Sequence, residues 1–317
     1  MRLASVLTPL SDVNLQLAAQ CGVTDVTTRY HGPELAALLE VKAHIESFGL
    51  RLSVLEGFLP IENIKLGNDQ FESDIEEMIV LLRNMASAEI PILCYNFMAG
   101  TDWVRTSTTT RERGEALVTA FDLQEVAKAN SLTDTKTAVV ENHISADSLW
   151  QNLKRFLERI IPIAEKEGIV LTMHPDDPPI DNLLCRYRII NNVEAFERFV
   201  NFAPSRCNKI CFCQGTFATM GVDVPATIRR LGSHIAYVHF RDVRGTPESF
   251  AETFHDNGQT DMVEAMRAYH EIGFDGPIRP DHVPQLVGEE NGEPGYTMLG
   301  RLYAFGYMRG LIQAFNA

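Results

Sequence analysis

The sequence lacks a long apolar run, an excess of basic residues and the cysteine density of a disulfide scaffold. No stretch approaches the roughly 20 apolar residues that span a bilayer, so we do not expect the chain to be a membrane protein. Lys and Arg total 28 against 42 Asp and Glu, and the net charge of -14 disfavours a nucleic-acid partner, because phosphate-backbone binding needs cations. The six cysteines lie mostly in apolar runs, and the N-terminus shows no secretory signal pattern. These features predict a cytoplasmic protein with reduced thiols.

Linkers and nucleotide motifs are missing as well. The sequence contains no Gly/Ser linker, charge block or low-complexity tract that would divide it. A single domain over residues 1–317 is therefore expected, and 317 residues can bury a substantial core. Without a G-x-G-x-x-G turn, an enzyme that transfers hydride through a dinucleotide is disfavoured.

Apolar β-type runs alternate with amphipathic segments along the whole chain. The candidate strands are residues 2–7, 23–28, 51–56, 92–96, 169–175, 209–215, 235–243 and 276–282. Helical patterns lie between most of them, and a final one covers 297–315. Eight such repeats predict an α/β protein with a (β/α)₈ TIM barrel.

The segment after the fourth strand, residues 97–145, is too long for an ordinary loop. Part of it, residues 113–130, has helical spacing of its apolar residues. We expect the segment to cover the mouth of the barrel.

Metal-binding residue types fall at the ends of four consecutive predicted strands. His174 ends the fifth strand and Cys213 lies in the sixth, while His239 lies in the seventh and Asp281 ends the eighth. A lone buried histidine or cysteine is more often a packing residue. Their common position at the active face of a barrel instead predicts a metal site. The thiolate weighs against Mg²⁺ and Ca²⁺ and leaves Mn, Fe, Zn and Co open.

Several ordered motifs carry a resemblance to a known family. They are YNFMAGTDWVRT at 95–106, HPDDPP at 174–179, FCQGT at 212–216, HFR at 239–241, FHDNGQTDM at 254–262, RPDH at 279–282 and GYTMLGRLYAFGYMRG at 295–310. With them the chain resembles the mannonate dehydratase family, which converts D-mannonate to 2-keto-3-deoxy-D-gluconate. The resemblance implies a barrel, a homodimer or larger assembly, and a divalent cation, usually Mn²⁺ or Fe²⁺, held by the four strand-end residues.

The resemblance also implies a proton-transfer pair, His282 and Tyr296. We favour Tyr296 as the base and His282 as the acid, with a nearby cation lowering the pKa of the phenol, and the reverse assignment stays open. Substrate contacts are expected from Arg279, His255, Arg105, Asn96 and Arg241, of which the arginines could hold a carboxylate as a fork. In HPDDPP, Asp176 and Asp177 are expected to shape or orient the site from the loop.

Two other functions remain open. A metal-dependent sugar isomerase or epimerase would use the same barrel and also abstract a proton next to a polarised oxygen. A non-catalytic sugar-acid binding protein is disfavoured, because binding alone does not need a proton-transfer pair. The N-terminal region departs from the family pattern, with TTRYHGP at 27–33 in place of a tandem histidine pair, so a related sugar acid is the alternative substrate.

Overall fold

Eight parallel strands form a closed barrel in which each strand pairs with its neighbours in the chain and the first pairs with the last. The computed structural model describes residues 1–128, 130–131 and 144–315. The barrel strands are β1 (Arg2–Val6), β2 (Asp25–Thr28), β3 (Arg51–Glu56), β4 (Ile92–Tyr95), β5 (Val170–Met173), β6 (Asn208–Cys213), β7 (Ile235–Phe240) and β8 (Pro277–Pro280). The predicted (β/α)₈ barrel is confirmed.

Ten α-helices surround the barrel within the described part of the chain. They are α1 (Asp12–Gln20), α2 (Leu35–Glu46), α3 (Glu62–Leu66), α4 (Phe71–Ser87), α5 (Ala146–Glu167), α6 (Val193–Phe202), α7 (Gln214–Thr219), α8 (Val224–Leu231), α9 (Met262–Glu271) and α10 (Met298–Phe315). Sequence periodicity missed α1, α3 and α7, of which the last two are too short to show a helical repeat. None of these helices combines the length and apolarity needed to cross a membrane.

The barrel interior and its outer layer form separate apolar cores. Most buried side chains pack between the strands and the helices. A smaller cluster of Val54, Ile92, Cys94, Cys211 and Tyr237 comes from four barrel strands and lies inside. Side chains two positions apart on a strand share a face. Cys213 and His239, two residues beyond the last two members, therefore point into the C-terminal end of the barrel.

A small antiparallel sheet adjoins the barrel where a helix was predicted. The helical spacing over residues 113–130 proved misleading, since Leu117–Asp122 is a strand and Leu123–Lys128 is a 3₁₀ helix. The strand pairs on one side with Ser107–Arg111 and on the other with Ser249–Glu252.

Packing across this sheet explains the error. The rings of Phe121 and Phe250 lie opposite each other, 5.8 Å between centroids. Such cross-strand contacts between distant parts of the chain outweigh a local helical preference. Residues 129 and 132–143 of the predicted covering segment lie outside the described residues.

Candidate active site

A cavity of about 350 Å³ opens at the C-terminal ends of the barrel strands. Its wall contains eight of the residues that the sequence singled out: Asn96, His174, Asp177, His239, Arg279, Asp281, His282 and Tyr296. Five more are buried and do not form part of this wall: Arg105, Asp176, Cys213, Arg241 and His255.

Three metal-binding side chains converge on one point. The ligand atoms of His174, Cys213 and His239 all lie within 4.8 Å of one another. Asp281 approaches them from β8, with Oδ2 3.6 Å from Nδ1 of His239 and 4.0 Å from Sγ of Cys213. Nδ1 of His174 is 2.7 Å from the Pro175 carbonyl and must donate to it, because a carbonyl only accepts. Nε2 of His174 is then the nitrogen available as a ligand.

Neighbouring charges favour the ionised forms of this cluster. Burial alone would raise the pKa of the Cys213 thiol, but Arg241 and His174 lower it well below its usual value. Burial likewise opposes ionisation of Asp281, and Arg279 above all holds the pKa of that carboxyl well below its usual range. The thiolate and the carboxylate are the forms that bind metals.

The donor set fits a divalent transition metal. Two imidazoles, a thiolate and a carboxylate suit Mn, Fe, Zn or Co better than the hard cations Mg²⁺ and Ca²⁺. Nε2 of His239 is buried without a hydrogen-bond partner among the described residues, although a Glu56 oxygen lies 3.4 Å away. Coordination would satisfy such a nitrogen. These four residues could therefore hold the cation that the sequence predicted.

His282 is held in an unusual backbone conformation directly after Asp281. Its φ of 45° is rare for a residue other than glycine. The imidazole stacks on Trp103, 5.1 Å between centroids, and meets the ring of Tyr296 edge-on at 5.2 Å. Gly295 permits this approach, since a Cβ there would lie 3.1 Å from Nδ1 of His282. The arrangement orients one imidazole and one phenol towards the same cavity.

Burial shifts the pKa values of both members of this pair in the direction of their neutral forms. It raises the pKa of Tyr296 to about 12, and Asp281 acts in the same direction. It lowers the pKa of His282 well below its usual value, although Asp281 opposes the effect. A neutral imidazole can accept a proton and a phenol can donate one. These directions favour the reverse assignment, with His282 as the base, and the choice between the two assignments stays a prediction.

Two arginines that were expected to hold the substrate are engaged by protein carboxylates. Arg105 donates to both oxygens of Asp177, each at 3.0 Å, and to Glu252 at 2.7 Å. Arg241 contacts the same two carboxylates at 2.7 Å each, and its Nε is 3.2 Å from Asp281. This buried charge network lies next to the metal-binding cluster. In this conformation Arg241 contacts the cluster through Asp281, and neither arginine forms part of the cavity wall.

The two aspartates of HPDDPP differ in their partners. Asp177 lines the cavity and belongs to the buried charge network. Asp176 accepts from the backbone N–H of Ile190 at 2.7 Å, and its own N–H donates to the Ile190 carbonyl at 2.9 Å. Asp176 therefore fixes the loop, whereas Asp177 connects the loop to the site.

Arg279 lines the cavity, but its donors are also occupied. They reach Asp281 at 2.6 Å, Glu56 at 2.9 Å and the Tyr237 hydroxyl at 2.7 Å. Asn96, directly after β4, accepts a hydrogen bond from Nζ of Lys65 at 3.0 Å. The predicted contact of these residues with substrate stays a prediction.

A comparison with known proteins decides the family. The family model described as D-mannonate dehydratase (UxuA) matches residues 7–317, almost the whole chain. The chain belongs to the D-mannonate dehydratase family. The resemblance inferred from the motifs is thus confirmed, and the family is one of metal-dependent hydro-lyases.

Individual relatives agree with the family model. The mannonate dehydratase of Streptococcus uberis is 33% identical over 298 residues, which cover 87% of this chain and 85% of the relative. That of Thermotoga petrophila is 33% identical over 312 residues, covering 89% and 86%. The crystal structure of mannonate dehydratase from Streptococcus suis serotype 2 superposes with a TM-score of 0.92 at 31% identity, covering 99% of this chain and 95% of that one.

More distant structures share the barrel alone. D-psicose 3-epimerase from Clostridium cellulolyticum superposes with a TM-score of 0.63 at 14% identity, covering 98% of this chain and 99% of that one. This likeness supports the fold and carries no argument for an epimerase.

In this mannonate dehydratase fold, the cavity wall includes five charged residues that sequence reasoning missed, namely Arg29, Glu56, Glu62, Lys65 and Asp102. Arg29 follows β2, Glu56 ends β3 and Lys65 lies in α3. Arg29 and Glu56 obey the same rule that selected the metal-binding residues, namely position at the C-terminal end of a barrel strand. The rule was applied only to metal-ligand types on the last four strands, so both were overlooked. Lys65 gave no such signal, because α3 is too short to show a helical repeat.

Proposed function

We propose that this chain catalyses the dehydration of D-mannonate to 2-keto-3-deoxy-D-gluconate and water. The observation that carries the proposal is the position of the His282–Tyr296 pair in the same cavity as the cluster of His174, Cys213 and His239. Membership of the D-mannonate dehydratase family supports the choice of substrate.

Mn²⁺ or Fe²⁺ is the proposed cation, held by His174, Cys213, His239 and Asp281. Bound there, it supplies a Lewis acid for a substrate oxygen and positive charge that the acidic protein otherwise lacks. The Cys213 thiolate and the Asp281 carboxylate, whose pKa values are both lowered, favour the cation electrostatically.

The reaction requires a base and an acid close together. One group removes the proton from C2, a double bond forms between C2 and C3, and the C3 hydroxyl leaves as water with a proton from the second group. The resulting enol becomes the 2-keto product by moving its hydroxyl proton to C3. His282 and Tyr296, whose ring centroids are 5.2 Å apart, fit these two roles. Burial lowers the pKa of His282 and raises that of Tyr296, which supports His282 as base and Tyr296 as acid.

The segment of residues 97–145 is proposed to restrict water at this site within a single-domain chain. Met98 and Trp103 line the cavity, and Arg105 connects the segment to the buried charge network.

We also propose that the enzyme acts in the cytoplasm as a dimer or larger assembly. Free thiols at all six cysteines support a reducing compartment. Light scattering of the purified protein tests the assembly.

A turnover assay tests the function. Metal-stripped protein should give no product from D-mannonate, and restored Mn²⁺ should give 2-keto-3-deoxy-D-gluconate. Conversion that conserves mass would indicate an isomerase or epimerase, and stoichiometric binding without conversion would indicate a binding protein. Either result rejects the proposed reaction.

The variant His282→Asn tests the proton-transfer role in the same assay. Turnover should fall by about 10²–10⁴-fold, the usual contribution of a positioned acid or base, while metal content stays unchanged. His270→Asn, on the exposed side of α9, is the matched control and should keep full activity. Full activity of His282→Asn would remove that residue from the mechanism.

A further inference from the structure

The cavity wall contains one lysine and two arginines, and they differ in how far the protein itself satisfies them. Arg279 donates to the carboxylates of Asp281 and Glu56. Lys65 donates to Asn96 and is 3.5 Å from a Glu62 oxygen. These two cations already have close partners within the chain.

Arg29 is the cation of this wall that has no ion pair with a carboxylate of the described residues. Its guanidinium carbon lies 5.4 Å from the ring centroid of Tyr296 and 5.6 Å from that of Phe58. Burial acts against the charge of Arg29, but the Tyr296 side chain, which also accepts a hydrogen bond from the guanidinium, and Glu56 raise its pKa. Aromatic faces hold a guanidinium without using its N–H donors, which project from the edge of its plane. Tyr296 takes one hydrogen bond, and the other N–H donors of this fixed cation are left for a ligand.

The backbone next to Arg29 leaves room for its guanidinium at the edge of the cavity. Arg29 directly follows β2, and the next residue, Tyr30, donates its N–H to the Gly57 carbonyl at 3.2 Å. Gly57 follows β3 with a φ of 80°, and a Cβ there would lie 3.0 Å from Nη1 of Arg29. A glycine at this turn thus allows the guanidinium to lie against the backbone at the edge of the cavity.

The position of Arg29 relative to the proton-transfer pair fits the chemistry of a sugar acid. The carboxylate is the charged group of D-mannonate, and C2 is bonded directly to it. Tyr296 lies next to Arg29 on one side and next to His282 on the other. A carboxylate bound by Arg29 therefore brings C2 close to this pair. Loss of the C2 proton also places additional negative charge on the carboxylate oxygens, where a guanidinium stabilises it.

We infer that Arg29 is the residue that receives the carboxylate of the substrate, an inference that rests on the proposed dehydratase function. Arg105, Arg241 and Arg279, for which the sequence suggested this role, are engaged by carboxylates of the protein. Arg29 contacts the substrate beside the reacting carbon, and its charge favours the transition state over the bound substrate.

Kinetics of Arg29 variants in the Mn²⁺ enzyme give the first test. Arg29→Gln should lower kcat/KM for D-mannonate by about 10²–10³-fold, as loss of a donor to developing charge does, with unchanged metal content and thermal melting. Arg29→Lys keeps the positive charge but cannot donate two parallel hydrogen bonds to a carboxylate, and its kcat/KM should fall about tenfold. Arg51→Gln, at the exposed first position of β3, is the matched control and should match the wild type. Wild-type kcat/KM in Arg29→Gln would overturn the inference. If that variant does not fold, wild-type kcat/KM in Arg29→Lys would overturn it instead.

Calorimetry with two probes tests the carboxylate itself. D-gluconate differs from D-mannonate at C2, and D-glucitol is the corresponding neutral polyol. The wild-type Mn²⁺ enzyme should prefer D-gluconate, and Arg29→Gln should lose about 10–100-fold of that preference, the range of a charge-assisted hydrogen bond, while binding of D-glucitol changes little. Equal weakening of both probes would overturn the inference.

The two experiments separate failure of the inference from failure of the proposed function. If the wild type does not dehydrate D-mannonate, the proposed function is wrong, whereas the calorimetric preference needs no turnover and still decides whether Arg29 binds a carboxylate.

Discussion

His255 is a buried histidine whose environment disfavours the charged imidazolium. It is fully buried and stacks on Phe240, 6.3 Å between ring centroids. Burial lowers its pKa to about 4, although the Phe240 backbone acts in the opposite direction. The sequence motif suggested a substrate contact, but the side chain does not form part of the cavity wall. In this structure it packs against Phe240, and its contact with substrate stays a prediction.

This environment makes stability depend on pH. Between pH 4 and pH 6.5 the unfolded chain protonates His255 and the folded chain does not, so the contribution of His255 to stability falls as pH falls. Relative to His255→Gln, the wild type should lose about 2 kcal/mol of unfolding free energy between pH 7.5 and pH 5. Denaturant titrations of both proteins at these pH values measure the difference. Parallel curves would contradict the lowered pKa.

Individual site residues could be predicted where their type and their position both carry information. His174, Cys213, His239 and Asp281 are metal-ligand types at strand ends, and their ligand atoms lie close together. The burial of Arg105 in an ion-pair network depends on Glu252, a residue 147 positions away, and no local pattern encodes such a contact.

The loop after β5 and the small sheet are joined to the barrel through the buried charge network. Asp177 comes from the loop, Arg105 and Glu252 come from the sheet region, and Arg241 follows β7. Burial opposes ionisation of Asp177, but Arg105 and Arg241 hold its pKa well below the usual range. A carboxylate shared by two arginines fixes the relative position of these elements.

Removing this charge should destabilise the protein. Asp177→Asn leaves two buried arginines under-compensated and should cost about 3–5 kcal/mol of unfolding free energy. Asp181→Asn, an exposed aspartate of the same loop that accepts from Asn191, should cost less than about 1 kcal/mol. Chemical denaturation at neutral pH measures both. Equal stability of the two variants would show that the network contributes little.

Helices and strands were predictable where the spacing of their apolar residues reflects burial of one face. The eight barrel strands and the amphipathic helices met this condition, and their order alone indicated the barrel. The strand Leu117–Asp122 did not, because its partner Ser249–Glu252 lies far away along the chain. Its conformation depends on a contact between two insertions that exists only in the folded chain.

The metal-binding residues connect half of the barrel wall across its open end. His174 follows β5, Cys213 ends β6, His239 lies near the end of β7 and Asp281 follows β8. Neighbouring strands already pair at this level, with Cys213 opposite His239. A cation bound by all four would add links between strands that the unfolded chain cannot form. Metal binding should therefore stabilise the molecule as a whole.

Thermal unfolding with and without Mn²⁺ measures this linkage. At a free Mn²⁺ concentration 100 times the dissociation constant, the folded state should gain about 2.7 kcal/mol, seen as a rise in Tm. Cys213→Ser replaces the thiolate ligand with a hydroxyl, which binds a divalent cation less strongly, and should reduce the Mn²⁺-dependent rise in Tm. Cys185 is exposed, and Cys185→Ser should keep the full rise. An unchanged rise in Cys213→Ser would exclude Cys213 as a ligand. No rise in the wild type would mean that Mn²⁺ binding is not coupled to the stability of the barrel.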